Sequence, residues 1–171
     1  MIEIEVKLKL PDPKAFREAL FRLGARLEKE RHAEDNTLYD WRGGDLRQTR
    51  RALRLRLAGV KAFLTFKGRP QKSRRFKVRE EFETEVKNEK HLRKILKELG
   101  LVPAFRYHKF RTVLRKGAVK ICIDETAIGN FAELEGERSD IVRLAKSLGF
   151  SPADMIKRDY VELIQEAGKT V

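Results

Sequence analysis

The sequence has very little cysteine and no long apolar run. Cys122 is the only cysteine, which excludes a disulfide within the chain, and no cysteine and histidine cluster has the spacing of a zinc site. No segment approaches the roughly 20 apolar residues of a membrane span, and the N-terminus enters a charged strand without an apolar signal region. We therefore expect a cytoplasmic protein, in which any metal ion is held by oxygen ligands.

A linker rich in proline, glycine and serine is also missing, so we predict a single domain over residues 1–171. A hydrophobic fraction of 41% excludes a disordered polyelectrolyte. Charged residues make up 38% of the chain, and 39 lysines and arginines against 26 acidic residues give a net charge of +13. This excess of positive charge predicts an anionic partner. Charge alone does not select among nucleotides, polyphosphate, nucleic acid and an anionic membrane.

Charged and apolar residues alternate along segments that are typical of β-strands. Glu3, Glu5 and Lys7 share one face of the first predicted strand, while the isoleucine, valine and leucine side chains at the even positions share the other. This pattern recurs in about eight segments. The later charged faces carry Arg54 and Arg56; Lys67; Lys77, Arg79, Glu81, Glu83 and Glu85; Tyr107, Lys109 and Arg111; Lys120, Cys122 and Asp124; and Glu133 and Glu135.

Four predicted helices lie between the strands, over residues 13–23, 88–99, 139–148 and 151–164. Each helix carries an apolar stripe, and the outer surface of the sheet is the only large surface against which these stripes can pack. The charged face of the sheet must then turn inward. We predict an α+β fold: an antiparallel, closed or nearly closed eight-stranded β-barrel with a polar interior and helices packed outside.

Such an interior must pair, hydrate or bind its charges, because burying an unpaired ion costs several kcal/mol. Lysines and arginines can bind a chain of phosphates, whereas clustered carboxylates repel phosphate unless divalent cations lie between them. A surface for nucleic acid would not need Glu3, Glu5, Glu133 and Glu135 on the same face as its arginines. The mixed charge therefore favours a tunnel for a metal-bound triphosphate.

Seven motifs follow one another along the chain: the opening Glu-x-Glu-x-Lys, Leu-Arg-Leu-Arg, Thr-Phe-Lys-Gly, Arg-Glu-Glu-Phe-Glu, Lys-x-Arg, Ile-Asp-Glu and Glu-Leu-Glu. In this order they resemble the motifs of the CYTH superfamily of triphosphate tunnel enzymes. The segments at residues 38–40, 52–56, 124–131 and 159–163 are most similar to the class IV adenylate cyclase-like branch, beside the thiamine triphosphatase-like members.

The resemblance implies a metal-dependent enzyme and assigns roles to individual residues. Mg²⁺ or Mn²⁺ would be held by Glu3, Glu5, Glu81, Asp124, Glu133 and Glu135. The substrate would contact Lys7, Arg54, Arg56, Lys67, Arg79, Lys109, Arg111 and Tyr39. The residues expected to be catalytic are Glu3, Glu5, Lys7, Glu133 and Glu135. Tyr39 has an alternative interpretation as an aromatic side chain that packs under a helix.

Three functions stay open at this point. The first is conversion of ATP to cyclic AMP and pyrophosphate, and the second is release of orthophosphate from an inorganic, thiamine or nucleoside triphosphate at the same site. The third is a binding module for polyphosphate or RNA without turnover, suggested by the basic residues at 47–51 and 68–77. The expected partner is a small molecule that contains a triphosphate, namely ATP, tripolyphosphate or thiamine triphosphate, with no membrane and no nucleic acid. The family also allows a homodimer.

Overall fold

The computed structural model describes residues 2–168, which form eight antiparallel strands in one closed barrel. The strands are β1 (Ile2–Leu10), β2 (Arg26–Asp40), β3 (Ala52–Ala58), β4 (Lys61–Lys67), β5 (Lys77–Val86), β6 (Val102–Lys116), β7 (Val119–Thr126) and β8 (Gly129–Glu135). They follow one another around the barrel in the order β1, β5, β4, β3, β2, β6, β7, β8. The predicted barrel is confirmed. Residues 1 and 169–171 of the predicted domain lie outside the described residues.

Five α-helices in the described range lie outside the barrel: α1 (Pro13–Arg22), α2 (Asp45–Gln48), α3 (Glu89–Glu98), α4 (Arg138–Ser147) and α5 (Tyr160–Glu166). Three begin at side-chain caps, because the carboxylate of Asp12 accepts hydrogen bonds from the first amides of α1, the Asn88 side chain does the same for α3, and Asp159 caps α5. The short helix α2 was not predicted. None of the helices in residues 2–168 is long and apolar enough to cross a membrane.

The single helix predicted over residues 151–164 is wrong. Ser151 does cap a helical turn, but this is a short 3-10 helix over Pro152–Asp154. The chain then extends so that Ile156 pairs with Lys7 of β1, with N–H···O distances of 2.8 and 3.0 Å between the two backbones. A new helix, α5, begins after Asp159, whose carboxylate caps it. Pairing with β1 therefore replaces helical hydrogen bonds in this segment.

The apolar face of the sheet points outward, where the helices cover it. Leu8 and Leu20 have no exposed surface in the largest cluster, which joins β1, β7 and β8 to α1 and α4. A second cluster packs Leu55 and Leu101 against Leu96 of α3. Each fully buried leucine contributes roughly 1.5–3 kcal/mol to folding. The core thus lies between the sheet and the helices, and the barrel interior is left to the polar face.

Candidate functional site: a charged tunnel

The barrel encloses a cavity of about 530 Å³, called here the tunnel, with a wall of mixed charge. The predicted site residues on its wall are Glu3, Glu5, Lys7, Arg54, Arg56, Lys67, Arg79, Glu81, Lys109, Arg111, Glu133 and Glu135. The wall also includes charged and aromatic residues that sequence reasoning left without a role: Lys77, Glu83, Tyr107, Lys120, Asp159 and Tyr160. The structure therefore brings together all the predicted site residues except Tyr39 and Asp124.

Strand register brings these side chains together across the closure of the barrel. Lys7 lies opposite Glu133 on β8, and Glu5 lies opposite Lys77 on β5 and Glu135 on β8. Directly opposed residues on one face of an antiparallel pair have side chains close enough to interact. The alternation within β1 therefore becomes a ring of opposite charges once β1 is placed between β5 and β8.

Lys7 is the cation at the centre of this ring. Its Nζ lies 3.0 Å from a carboxylate oxygen of Glu133 and 3.3 Å from one of Glu5, and only 2% of the residue is exposed. Burial lowers the pKa of Lys7, but the charges of Glu133 and Glu5 outweigh it and raise the pKa above its usual value. Burial also acts against ionisation of Glu133, whose pKa Lys7 and Arg111 hold well below the usual range. Both side chains are therefore charged at neutral pH.

Asp124 lies behind the tunnel wall with no exposed surface. Its carboxylate accepts hydrogen bonds from Lys109 at 2.9 Å, from two nitrogens of Arg111 at 2.6 Å each, and from the Tyr160 hydroxyl at 2.6 Å. Arg111 also contacts Glu133. Burial lowers the pKa of Arg111, but the Asp124 charge raises it well above its usual value. In this arrangement Asp124 orients two cations toward the tunnel.

Arg54 and Arg56 project into the tunnel from β3. Arg56 contacts a Glu83 carboxylate oxygen at 3.0 Å, and Arg54 donates to the Thr65 hydroxyl at 3.3 Å. The Nε atoms of both arginines are buried and have no hydrogen-bond partner. Buried donors without partners are costly, so this wall is suited to an anionic ligand that accepts from them.

Glu3 and Glu81 meet in the tunnel beside Lys67, which contacts both of them, at 3.6 Å in the case of Glu3. Burial and the neighbouring Glu81 carboxylate raise the pKa of Glu3, whose Oε2 atom is buried without a hydrogen-bond partner. Burial and the charge of Arg54 lower the pKa of Lys67 to about 8. Two carboxyl groups held side by side offer oxygen ligands of the kind that a hard divalent cation takes.

All the predicted acidic ligands on the tunnel wall, Glu3 and Glu81 included, are paired with cations in the structure. Glu5 and Glu133 face Lys7, and Glu135 accepts from Lys120 at 2.9 Å. Within residues 2–168, no three histidine, cysteine, aspartate or glutamate side chains are gathered as a metal site. Glu3 and Glu81 lie side by side on Lys67, so they fit a metal ion that takes the place of this cation.

Tyr39 lies on the outer side of the sheet, in the cluster beneath α3, so it does not line the tunnel. Its hydroxyl accepts a hydrogen bond from Arg93 at 2.8 Å, and only 4% of the residue is exposed. The position of Tyr39 agrees with the alternative interpretation, in which this side chain packs under a helix, and not with the expected substrate contact.

The C-terminal segment contributes residues to the tunnel that the sequence analysis missed. Tyr160 places its ring 5.0 Å from the Lys7 ammonium and 4.7 Å from that of Lys109, and Asp159 pairs with Lys77 at 3.3 Å. The available signal was the Asp-x-x-Glu capping box at Asp159, which marks a helix start inside the segment that was predicted as one helix.

A closed antiparallel barrel with a charged interior and helices outside defines the triphosphate tunnel fold. The model of the CYTH domain matches residues 1–158, and the chain belongs to this family. A Methanocaldococcus jannaschii protein named "putative adenylate cyclase" is 32% identical over 174 residues, which cover 95% of this chain and 98% of the relative.

Solved structures share the fold along almost the whole chain. A "putative adenylate cyclase" from Vibrio parahaemolyticus aligns with a TM-score of 0.86 at 22% identity, covering 96% of this chain and 98% of that one. A "putative adenylyl cyclase" from Hippeastrum, described as having a dominant triphosphatase activity, aligns with a TM-score of 0.68 at 23% identity. That alignment covers 99% of this chain and 97% of the Hippeastrum protein. At these identities the two likenesses support the fold alone.

Proposed function

We propose that this chain is a metal-dependent enzyme that cleaves a triphosphate bound in the tunnel. The observation that carries the proposal is the convergence of buried lysines and arginines with carboxylates on one cavity. Its volume of about 530 Å³ lies in the range of small-molecule sites, which is roughly 300–1,000 Å³. Cations hold phosphate oxygens, and the acids offer oxygen ligands to the divalent ion that accompanies a triphosphate.

The residues of the tunnel divide into three groups by their chemistry. Lys7, Arg54, Arg56, Lys109 and Arg111 bind phosphate oxygens and stabilise the charge that builds up on the leaving phosphate. Asp124 positions two of these cations from behind the wall. Once metal and substrate compete for their cations, Mg²⁺ or Mn²⁺ would be held by Glu3, Glu5, Glu81, Glu133 and Glu135. The bound ion supplies further neutralisation of phosphate charge.

Two reactions use this arrangement. In the cyclase reaction, the ribose 3′-hydroxyl of ATP attacks the α-phosphorus and pyrophosphate leaves. The names of the Methanocaldococcus and Vibrio proteins favour this reaction as the first candidate. In the hydrolase reaction, water attacks a terminal phosphorus and orthophosphate leaves. The activity described for the Hippeastrum protein favours it as the second candidate.

One assay separates the candidates. ATP and tripolyphosphate are each incubated with the protein and Mg²⁺ or Mn²⁺, and the products are resolved by chromatography. We expect turnover that EDTA abolishes and that Arg56→Gln lowers by about 100-fold, the usual effect of removing one donor to transition-state charge. Arg22→Gln, on the exposed surface of α1, is the matched control. Cyclic AMP absent under all conditions excludes the cyclase, and phosphate release unaffected by EDTA overturns the proposal.

A further inference from the structure

The two basic segments at residues 47–51 and 68–77, of which only Lys77 lines the tunnel, meet in the folded protein. Together with the start of α5 they line a second cavity of about 340 Å³, called here the basic chamber. The chamber shares Lys77, Arg79 and Asp159 with the tunnel wall, along with Leu38, Ala52 and Val161. The two cavities are therefore neighbours on a common set of side chains.

Four cations of the basic chamber have no acidic partner. Arg47, Arg50, Arg51 and Lys157 form no ion pair with any acid in residues 2–168. Three of them donate to neutral oxygens instead. Arg47 donates to the Gln165 side chain and Arg51 to the Thr49 hydroxyl, both at 2.8 Å, and Lys157 donates to the Ser73 carbonyl at 2.9 Å. The phosphate-binding candidates in the tunnel, by contrast, have acidic partners, so the chamber holds uncompensated positive charge.

The acids that line the basic chamber do not cancel this charge. The Asp40 carboxylate accepts hydrogen bonds from the Trp41 amide at 2.8 Å and from the Leu46 and Arg47 amides of α2 at 3.0 Å. Glu162 accepts from the Asp159 amide at 2.8 Å, and Asp159 itself is paired with Lys77. These carboxylates hold the backbone of the chamber wall, which leaves the guanidinium groups of Arg47, Arg50 and Arg51 available to a ligand.

We infer that the basic chamber binds phosphate groups of a linear polyphosphate that extends beyond the three phosphates held in the tunnel. This inference rests on the proposed function, because it continues the same ligand into the second cavity. Lys77 and Arg79 belong to both walls, so a phosphate chain passes from one set of cations to the next without leaving them. Repeated negative charge is the feature of such a chain that unpaired guanidinium groups recognise.

A nucleic acid or nucleoside suits this chamber less well. Stacking of bases needs open aromatic faces. Two of the aromatic residues on the chamber wall, Tyr39 and Phe76, are only 4% and 9% exposed, and the Tyr39 hydroxyl is already bonded to Arg93. The third, Phe105, is half-buried and its ring centroid lies 6.3 Å from that of Tyr107, so the chamber offers more unpaired charge than open aromatic surface.

The test is isothermal titration calorimetry of the full chain with tripolyphosphate and with linear hexaphosphate, each in the presence of EDTA so that neither ligand is cleaved during the titration. The measured quantity is the ratio of the two dissociation constants. We expect hexaphosphate to bind about tenfold more tightly than tripolyphosphate, which corresponds to one further charge-assisted contact. The double variant Arg47→Gln/Arg51→Gln should bring the ratio to about one. The double variant Arg22→Gln/Arg143→Gln removes the same charge from exposed positions outside both cavities and should leave the ratio unchanged.

Three outcomes of the titrations with these two ligands would overturn the inference. They are equal binding of both ligands to the wild-type protein, an equal loss of affinity for both in the chamber variant, and the same loss of preference in the control variant. ATP gaining the tenfold preference in place of hexaphosphate would assign the chamber to a nucleoside and would also overturn it. Because the readout is binding, failure of the proposed enzyme activity appears separately, as absence of metal-dependent turnover.

Discussion

Glu34 provides a quantitative test of the charge network behind the tunnel. It lies on the inner face of β2 and is 3% exposed. Its carboxylate oxygens lie 3.5 Å from Arg56, 3.7 Å from Lys109 and 3.9 Å from Arg111. Burial raises the pKa of Glu34, but these cations outweigh it and lower the pKa from 4.5 to about 2. The folded protein therefore stabilises the ionised form of the Glu34 carboxyl relative to the unfolded chain.

The stability that follows from this shift can be stated with its sign. A carboxyl group whose pKa is lower in the folded state stabilises the fold above the unfolded pKa, and this contribution is lost as the pH falls from about 4.5 to about 2. At about 1.4 kcal/mol per pKa unit, the contribution is roughly 3 kcal/mol at pH 7. Glu34→Gln removes the ionised carboxylate from among these cations, so we expect it to lower the free energy of unfolding by that amount.

Urea denaturation at pH 7 and at about pH 3 measures the effect. The difference between wild type and Glu34→Gln should fall by more than half at the lower pH, because the carboxyl is then almost fully protonated in the unfolded chain and still largely ionised in the folded protein, so that folding releases a proton. Glu18→Gln, at an exposed position on α1, is the control and should change stability by less than about 0.5 kcal/mol. A loss for Glu34→Gln that is below about 1 kcal/mol, or that does not depend on pH, would refute this reasoning.

Three further substitutions test other parts of the structure by urea denaturation. Tyr160→Phe removes the hydroxyl that donates to Asp124 at 2.6 Å and should cost about 1 kcal/mol, whereas an unchanged stability would contradict the buried hydrogen bond. Leu8→Ala deletes a fully buried side chain on the outer face of β1 and should cost about 3 kcal/mol, whereas the small effect of a surface position would mean that the core lies elsewhere. Asp12→Ala removes the cap of α1 and should cost about 1 kcal/mol, and no loss would exclude a stabilising role for the cap.

The sequence was sufficient to predict which face of the sheet turns toward the barrel interior, because each strand and helix has one apolar face. The apolar side chains of β1 and the stripe of α1 could be buried together only outside the barrel, which left Glu3, Glu5 and Lys7 inside. The face that turns inward follows from this packing whichever strands are neighbours. For the same reason, residues on the charged faces of distant strands could be assigned to one cavity before their partners were known.

Two features depended on tertiary contacts that the sequence pattern does not contain. The extended pairing of Ile156 with Lys7 interrupts a segment whose apolar spacing suits a helix, so the helical spacing predicted the wrong structure there. The strand register shifts between Leu38 and Tyr39, at a position where a simple period of two cannot be followed. The partners of individual charges also depended on register, which decides that Lys7 lies opposite Glu133.

The most direct test of the central claim is a crystal structure of the protein with Mg²⁺ and a non-hydrolysable ATP analogue. The account predicts the triphosphate inside the barrel, with its oxygens within about 3.2 Å of nitrogens of Lys7, Arg56 and Arg111. Phosphates bound only to the outer surface of a barrel whose internal ion pairs are unchanged would contradict it.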